Sequence, residues 1–453
     1  MILKTTQKVS PRRAAAAGFF GGAIEFYDFF IYGTASAVVL NVLFFSGLSP
    51  AIGTLAAFAT LAVGYVVRPL GAIVFGHIGD RYGRRTALMG TLMTMGAATV
   101  LIGVLPTTAI LGDWAAVLLV LLRLIQGLGL GGEMGNAATL TMESSPRKRR
   151  GFYSSFTYAG GFVGMVLATG AFALVSMLPE EAFMSWGWRM PFLASGVLLV
   201  ITYLVRRHIP EPPVAERARA EGNTERFPVL QVARQHKKDV LLATIIAAAP
   251  NTVYYIVSVF GITYAVTTYG VAQTTMLILV SISSAVLAIS VPLWGGLSDR
   301  VDRRKLIVIG LIAEAMFTFV YFMLMGTADP VMILLGMLLV LVFGHGIVNG
   351  IQAALFTELF PVEVRSTAVS LGQQLGGALS GFGPLIASAI IVANPDGWYL
   401  VALYAGGLCL LAAVAAIFTV TKWGHQGLQD DEVAEPSTPL TTRLEGNDMA
   451  TTR

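Results

Sequence analysis

Long, nearly uninterrupted apolar blocks separated by short polar connections organise this chain. A helix needs about 20 predominantly apolar residues to cross the hydrocarbon of a bilayer. Twelve stretches meet that length, near 16–44, 52–75, 86–106, 114–141, 152–177, 190–206, 239–265, 274–296, 305–326, 331–355, 366–393 and 398–421. The first block contains Glu25 and Asp28 and continues to Phe45, so it reads as a retained span and not as a cleaved leader. The predicted fold is an all-α integral membrane protein of twelve transmembrane helices.

The polar connections add orientation. If the side holding the N-terminus is called the inside, 27 of the 30 Lys and Arg residues fall on inner segments. The exceptions are Arg68 and Arg123 within spans and Arg189 outside. Positive residues stay cytoplasmic, which predicts an even span count, both termini in the cytoplasm and a multi-pass protein of a plasma membrane, here a bacterial inner membrane. Trp114, Trp186, Trp188 and Trp398 are expected at the outer boundary, and Trp294 and Trp423 at the inner one, as an aromatic belt.

Composition over the 453 residues agrees with these spans. Apolar residues make up 55% and charged residues 12%, about half the charge a soluble surface carries. Cys409 is the single cysteine, which excludes a disulfide framework, a cysteine metal cluster and a CxxC redox site. The net charge of +4 is explained by the inner loops, so nucleic-acid binding is not expected. No Lys follows a Gly anywhere, so no Walker A loop is present, and there is no HExxH and no intramembrane nucleophile–base pair. An enzyme, a cofactor and a metal are therefore not expected, and ATP is not the energy source.

The chain divides in two. Residues 1–15 precede the first span, and the longest interior polar stretch, 207–238, separates a six-helix unit at 16–206 from one at 239–421. Residues 422–453 form a polar tail with the composition of disorder. The halves share sequence. GHIGDRYGRR at 76–85 matches GGLSDRVDRR at 295–304, and ESSPRKRR at 143–150 matches ELFPVEVR at 358–365. Two matches at nearly one offset argue for a duplicated unit, and paired bundles around a central cavity are a transporter architecture. Asp80 is placed to face a helix N-terminus, where the dipole favours an anion. Arg81, Arg84 and Arg150 are placed to pair with Glu143. The second copy offers Asp299, Arg300, Arg303, Glu358 and Arg365 for the same task, a cytoplasmic gate. Arg147, Lys148 and Arg149 are read as obeying only the positive-inside rule.

The repeated GxxxDRxGRR signature resembles that of the major facilitator superfamily. More narrowly, the chain resembles the metabolite:proton symporter family, on EFYDFFIYG (25–33), RPLG (68–71), RLIQGLGLGGE (123–133), ESSPxxxRGFYSS (143–155) and WGWRMPF (186–192). The stretch from Glu143 to Phe192 is most similar to shikimate-type carboxylate carriers. The resemblance implies two pseudo-symmetric six-helix bundles and uptake of organic acids or osmolytes. Asp302 departs from the signature's second glycine, which puts the tight turn there in question.

Seven ionisable side chains lie within spans: Glu25, Asp28, Arg68, Arg123, Glu133, Glu314 and His345. A charge at the bilayer centre costs about 2.5–3.5 kcal/mol on insertion scales, so such groups face the interior, pair, or mark a path. Helical rise puts Asp28 and Arg68 each roughly 18 Å above the inner face, and they are expected to pair. Glu25, Asp28 and Tyr32 share a helix face. The proton-coupling candidates are Asp28, Glu25 and Glu133. The substrate candidates are Arg68, Arg123, Tyr32, Gln126, Tyr254, Asn349 and Gln373. Arginine suits a carboxylate because its fork makes two parallel hydrogen bonds. Cargo arriving at a shared arginine would release the acid to take a proton. Glu314, near the inner face, is expected to snorkel, and His345 to pack. Gly127, Gly131 and Gly135 should let the fourth helix approach a neighbour closely.

The expected function is secondary active, proton-coupled uptake of a small organic acid by a monomer moving between inward and outward access. Uptake of a zwitterionic osmolyte, and uniport or exchange without protons, are the alternatives. A receptor would need a signalling domain that the short linker and tail do not supply.

Overall fold

The computed structural model describes residues 11–82, 84–131, 141–142, 145–206, 232, 234–361 and 364–419. Glu133 and Glu143 lie outside the described residues, as do the side chains of Asp80, Arg81 and Arg84. So do most of the expected linker, Gly135 and the expected tail.

Twelve helical passes appear among the described residues, and no strand. They are α1 (Pro11–Val38), α2 (Pro50–Val66 and Arg68–Tyr82), α3 (Arg84–Val104), α4 (Trp114–Leu130), α5 (Arg150–Val175), α6 (Met190–Arg206), α7 (Lys237–Tyr255 continuing to Tyr269), α8 (Gln273–Ser298), α9 (Arg303–Met325), α10 (Pro330–Val340 continuing to Leu359), α11 (Arg365–Ser380 and Gly383–Ala393) and α12 (Trp398–Ile417). Nine are long and apolar enough to cross a membrane over the described residues, and apolar stretches of α3, α4 and α6 are shorter.

The sequence explains where helices start and bend. Pro50 and Pro330 occupy the first turns of α2 and α10, where a missing N–H costs nothing. Asp329 caps α10, accepting from Val331 N at 2.7 Å and Met332 N at 3.2 Å. Asp302 caps α9 in the same way, accepting from Arg304 N at 2.8 Å and Lys305 N at 3.1 Å. The departure from the signature glycine is thereby explained. Asp302 has φ −56°, which any residue adopts, and it trades a flexible turn for a helix cap. Gly270 does need its freedom, taking φ +68° to end α7 just before α8. Pro69 lacks the N–H that an unbroken helix would direct to Tyr65, and α2 breaks beside it at Val67. In α7 and α10 the helix widens into π turns, Ile256–Phe260 and Leu341–His345.

The packing has two-fold character. α5 packs on α1 in its own half and on α8 in the other, and α11 packs on α7 in its own half and on α2 across the interface. Six helices on from α5 is α11, and six back from α8 is α2. Gly127 and Gly131 bring the backbone of α4 against Gly64 and Arg68 of α2, as the glycine spacing predicts. One tryptophan differs from expectation. Trp188 is fully buried between Phe44 and Phe192 and takes no part in a belt. Beside it, Arg189 donates to the Gly103 and Leu105 carbonyls at 2.9 and 2.8 Å, closing the end of α3.

Candidate functional site

Between the halves lies a narrow cavity of about 50 Å³, smaller than an occupied small-molecule site, so the halves are drawn close around it. Both halves supply its wall: Phe26 and Phe30 of α1, Arg68 of α2, Tyr158 and Phe162 of α5, Asn251, Tyr254 and Tyr255 of α7, Asn349 and Gln352 of α10, and Gln373 and Gln374 of α11. Arg68 is the charged residue of this wall. The rest is aromatic rings and five amides. Gln373 donates to the Tyr158 hydroxyl at 2.5 Å, which leaves the Tyr158 proton to point elsewhere. The amide oxygens of Gln352 and Gln373 are buried without a partner. Buried polar atoms left unpaired cost about 1–3 kcal/mol each, so this wall is better satisfied with a polar molecule against it.

Four of the expected substrate residues, Arg68, Tyr254, Asn349 and Gln373, line this cavity. Three do not. Arg123, Tyr32 and Gln126 form a sealed layer behind the α1 and α2 wall, each with no exposed surface. The Arg123 guanidinium sits 4.2 Å from the Tyr32 ring centre and 4.6 Å from that of Phe29. Arg68 lies 4.2 Å from the same Phe29 ring and 4.2 Å from Tyr65. One phenyl ring thus serves two guanidiniums, an arrangement that spacing alone did not reveal. The ring quadrupole attracts each cation. Arg123 also donates to Gln126 at 2.5 Å, and Tyr32 shares a hydrogen bond of 2.6 Å with Thr60. Among the described residues neither arginine forms an ion pair, and the Nε of both, with Nη2 of Arg123, has no hydrogen-bond partner.

Asp28 is not where the sequence places it. It does not pair with Arg68. It is 2% exposed and turns towards α6, where the Ser195 hydroxyl donates to its carboxylate. The reason is helix geometry. Equal depth does not fix azimuth, and Phe29, one residue on, takes the position facing the arginines. Asp28 is linked to that layer by its backbone instead, since Gln126 donates to the Asp28 carbonyl at 3.0 Å and to Thr99 at 2.8 Å. Glu25 is also buried in α1.

Glu314 and His345 are a second correction. Glu314 neither snorkels nor nears a surface; both residues are fully buried, and His345 Nδ1 lies 3.2 Å from Glu314 Oε1. Asn349 reaches His345 Nε2 at 3.0 Å, and the imidazole stacks on Tyr254 with centres 4.9 Å apart. A readable signal existed. His345 stands between Gly344 and Gly346, and a Cβ at 344 would lie 2.6 Å from the Glu314 Cα, so the missing side chain lets α10 meet α9 there.

At the end of the bundle that carries the repeated signature, several of the residues expected at a gate are in contact. The Asp299 carboxylate accepts from the backbone N–H groups of Gly151 at 2.8 Å and Phe152 at 3.0 Å, the first turn of α5 in the opposite half. Arg303 donates to Asp299 at 2.8 Å and pairs with Glu358. Arg365 is buried and donates to the Phe360 carbonyl at 3.2 Å, and Arg150 is buried at the start of α5. Arg300 is a correction. It is exposed and forms no ion pair with a described residue, because it lies one residue past Asp299 and faces out from the turn. At the far end Thr263 donates to the Ala37 carbonyl at 2.8 Å, and Thr169 and Ser281 share a hydrogen bond of 2.7 Å. The halves are joined at both ends.

Twelve helical passes in two matched halves, closed around a polar central cavity, define a membrane transporter of the secondary type. The chain belongs to the Major Facilitator Superfamily, whose sequence profile matches residues 18–384. It is therefore a multi-pass membrane transporter and not an enzyme. The Shikimate transporter of Escherichia coli (strain K12) is 37% identical over 410 residues, covering 90% of this chain and 94% of that one. The Proline/betaine transporter of Salmonella typhimurium (strain LT2) is 31% identical over 412 residues, covering 88% and 82%. A solved D-xylose–proton symporter superposes with a TM-score of 0.69 over 90% of this chain and 98% of that one at 19% identity, which shows the shared fold.

Proposed function

We propose that this transporter takes up a small hydroxylated carboxylate together with a proton, moving it across a bacterial inner membrane with both termini cytoplasmic. One observation carries the reading. Two buried guanidiniums share the Phe29 ring without a described carboxylate to neutralise either, and one of them opens on the cavity. An anionic cargo supplies the missing counter-charge at Arg68, where a bidentate contact suits a carboxylate. The unpaired amide oxygens of Gln352 and Gln373 accept from cargo hydroxyls. The shikimate-type relatives support the same class.

Asp28 carries the coupled proton in this account, by a route that differs from a shared ion pair. Asp28 and Phe29 are neighbours on α1. A change in the charge of Asp28 alters its hold on Ser195 of α6, and any shift of α1 moves the ring on which both arginines rest. Asp299 at the first turn of α5, with its Arg303 and Glu358 partners, latches one end, and the Thr263–Ala37 and Thr169–Ser281 contacts latch the other. Alternating access breaks them in turn.

A zwitterionic osmolyte is the second reading. The rings of Tyr254, Tyr255, Phe26 and Phe162 in the wall suit a quaternary ammonium, and betaine carriers are among the relatives. The discriminating experiment is uptake into proteoliposomes of shikimate, quinate, malate, proline and glycine betaine at two external pH values. Accumulation of a carboxylate only with an inward proton gradient is expected. Uptake that ignores the gradient, or that takes betaine and no carboxylate, contradicts the proposal.

A further inference from the structure

The buried chain Glu314–His345–Asn349 runs from the core of the C-terminal half to the cavity wall, and its hydrogen-bond polarity is fixed by its end members. The Asn349 amide nitrogen is only a donor. It lies 3.0 Å from His345 Nε2 and 3.1 Å from the His345 carbonyl. With the Asn349 amide in this orientation Nε2 accepts, which assigns the ring proton to Nδ1, facing Glu314 Oε1 at 3.2 Å. Both hydrogens of the Asn349 amide are spent on His345. What Asn349 offers the cavity in this state is its oxygen, an acceptor.

Adding one proton to His345 Nε2 reverses that. The imidazolium donates from both nitrogens, and its Nε2–H faces a group that must now accept. The Asn349 amide turns over: its oxygen receives Nε2–H, the bond to the His345 carbonyl is given up, and its NH₂ points into the cavity. We propose that Asn349 is a specificity-determining residue whose face towards the cargo is set by a proton on His345, acceptor without it and donor with it, so that proton binding favours a carboxylate. This rests on the reading of the cavity as an anion site.

The surroundings can hold the imidazolium. Glu314 supplies the carboxylate for the imidazolium, and its second oxygen is buried with no partner. The stacked Tyr254 ring and the Phe162 edge, with centres 4.9 and 5.5 Å from the imidazole, contact it from α7 and α5. Besides Glu314, the titratable side chains facing the pair are Tyr254 of α7 and Cys409 of α12. No described lysine or arginine pairs with it. The π turn Leu341–His345 ends at the histidine, and such bulges concentrate at functional sites.

The test uses the full chain in detergent with quinate or shikimate as probe, binding followed by calorimetry from pH 8 to pH 5.5. In Asp28→Asn, which removes the other proton site, carboxylate affinity is expected to rise as pH falls, up to about tenfold per unit for one linked proton. His345→Gln in that background is expected to flatten the slope, and an unchanged slope overturns the proposal. A second comparison needs no histidine variant. The ratio of affinities for the carboxylate and its neutral methyl ester is expected to rise about tenfold towards low pH in the Asp28→Asn protein and to stay level when Asn349→Leu is added. A ratio that rises equally with and without Asn349 overturns the proposal as well. If neither acid binds at any pH, it is the anion-site reading that has failed.

Discussion

At the residue scale, the interior charges are explained by aromatic support more than by pairing. Arg68 and Arg123 rest against Phe29, Tyr65 and Tyr32 and pair with no acid among the described residues. A lysine has neither the planar face for those rings nor the fork for a carboxylate. Arg68→Lys is expected to weaken cargo affinity about tenfold, near 1.4 kcal/mol, read as the midpoint of substrate exchange between vesicle faces. An unaltered midpoint removes Arg68 from the binding site. Asp28→Asn is expected to abolish uphill, pH-driven uptake while exchange persists, because Asn keeps a partner for Ser195 but cannot carry the proton. Intact accumulation in that variant refutes the assignment.

At the element scale, the proposed latch between halves is a carboxylate at a helix N-terminus, Asp299 on the first turn of α5. An anion there is worth about 0.3–1 kcal/mol from the dipole, and Arg303 adds a charged partner. Asp299→Asn is expected to move the population several-fold towards states open at that end, seen as faster labelling of a cysteine introduced beside Gly151. No change in labelling contradicts a latch at this position. Much of this scale was legible beforehand. Apolar runs located every pass, and the repeat located the acid–arginine turn. Side-chain azimuth was not legible. Depth along a helix follows from counting, but rotation depends on which face packs, and one residue of rotation put Phe29 rather than Asp28 against the arginines. The π turns have no sequence signature of comparable strength, so the meeting of Glu314 and His345 was missed. Gly344 alone hinted at it. Gly344→Val is expected to separate α9 from α10 and lower the unfolding temperature, since even its Cβ would fall 2.6 Å from the Glu314 Cα; an unchanged temperature would contradict so close an approach.

At the scale of the whole molecule, the two bundles place Arg68 on a cavity between them, bury Asp28 and Glu314 behind its wall, and meet at both ends. Under the proposed symport, the energetics depend on the net charge moved. A monoanion moving with one proton carries no charge, so only the pH gradient drives it, worth about 1.4 kcal/mol or tenfold accumulation per unit. A zwitterion moving with one proton carries one charge and gains about 2.3 kcal/mol per 100 mV. The most direct test is therefore simultaneous measurement of carboxylate and proton entry into vesicles whose membrane potential is clamped at 0 and then at −100 mV. The account expects one proton per carboxylate and the same uptake at both potentials. Cargo entering without protons, or accelerating with voltage as a cation does, would contradict it.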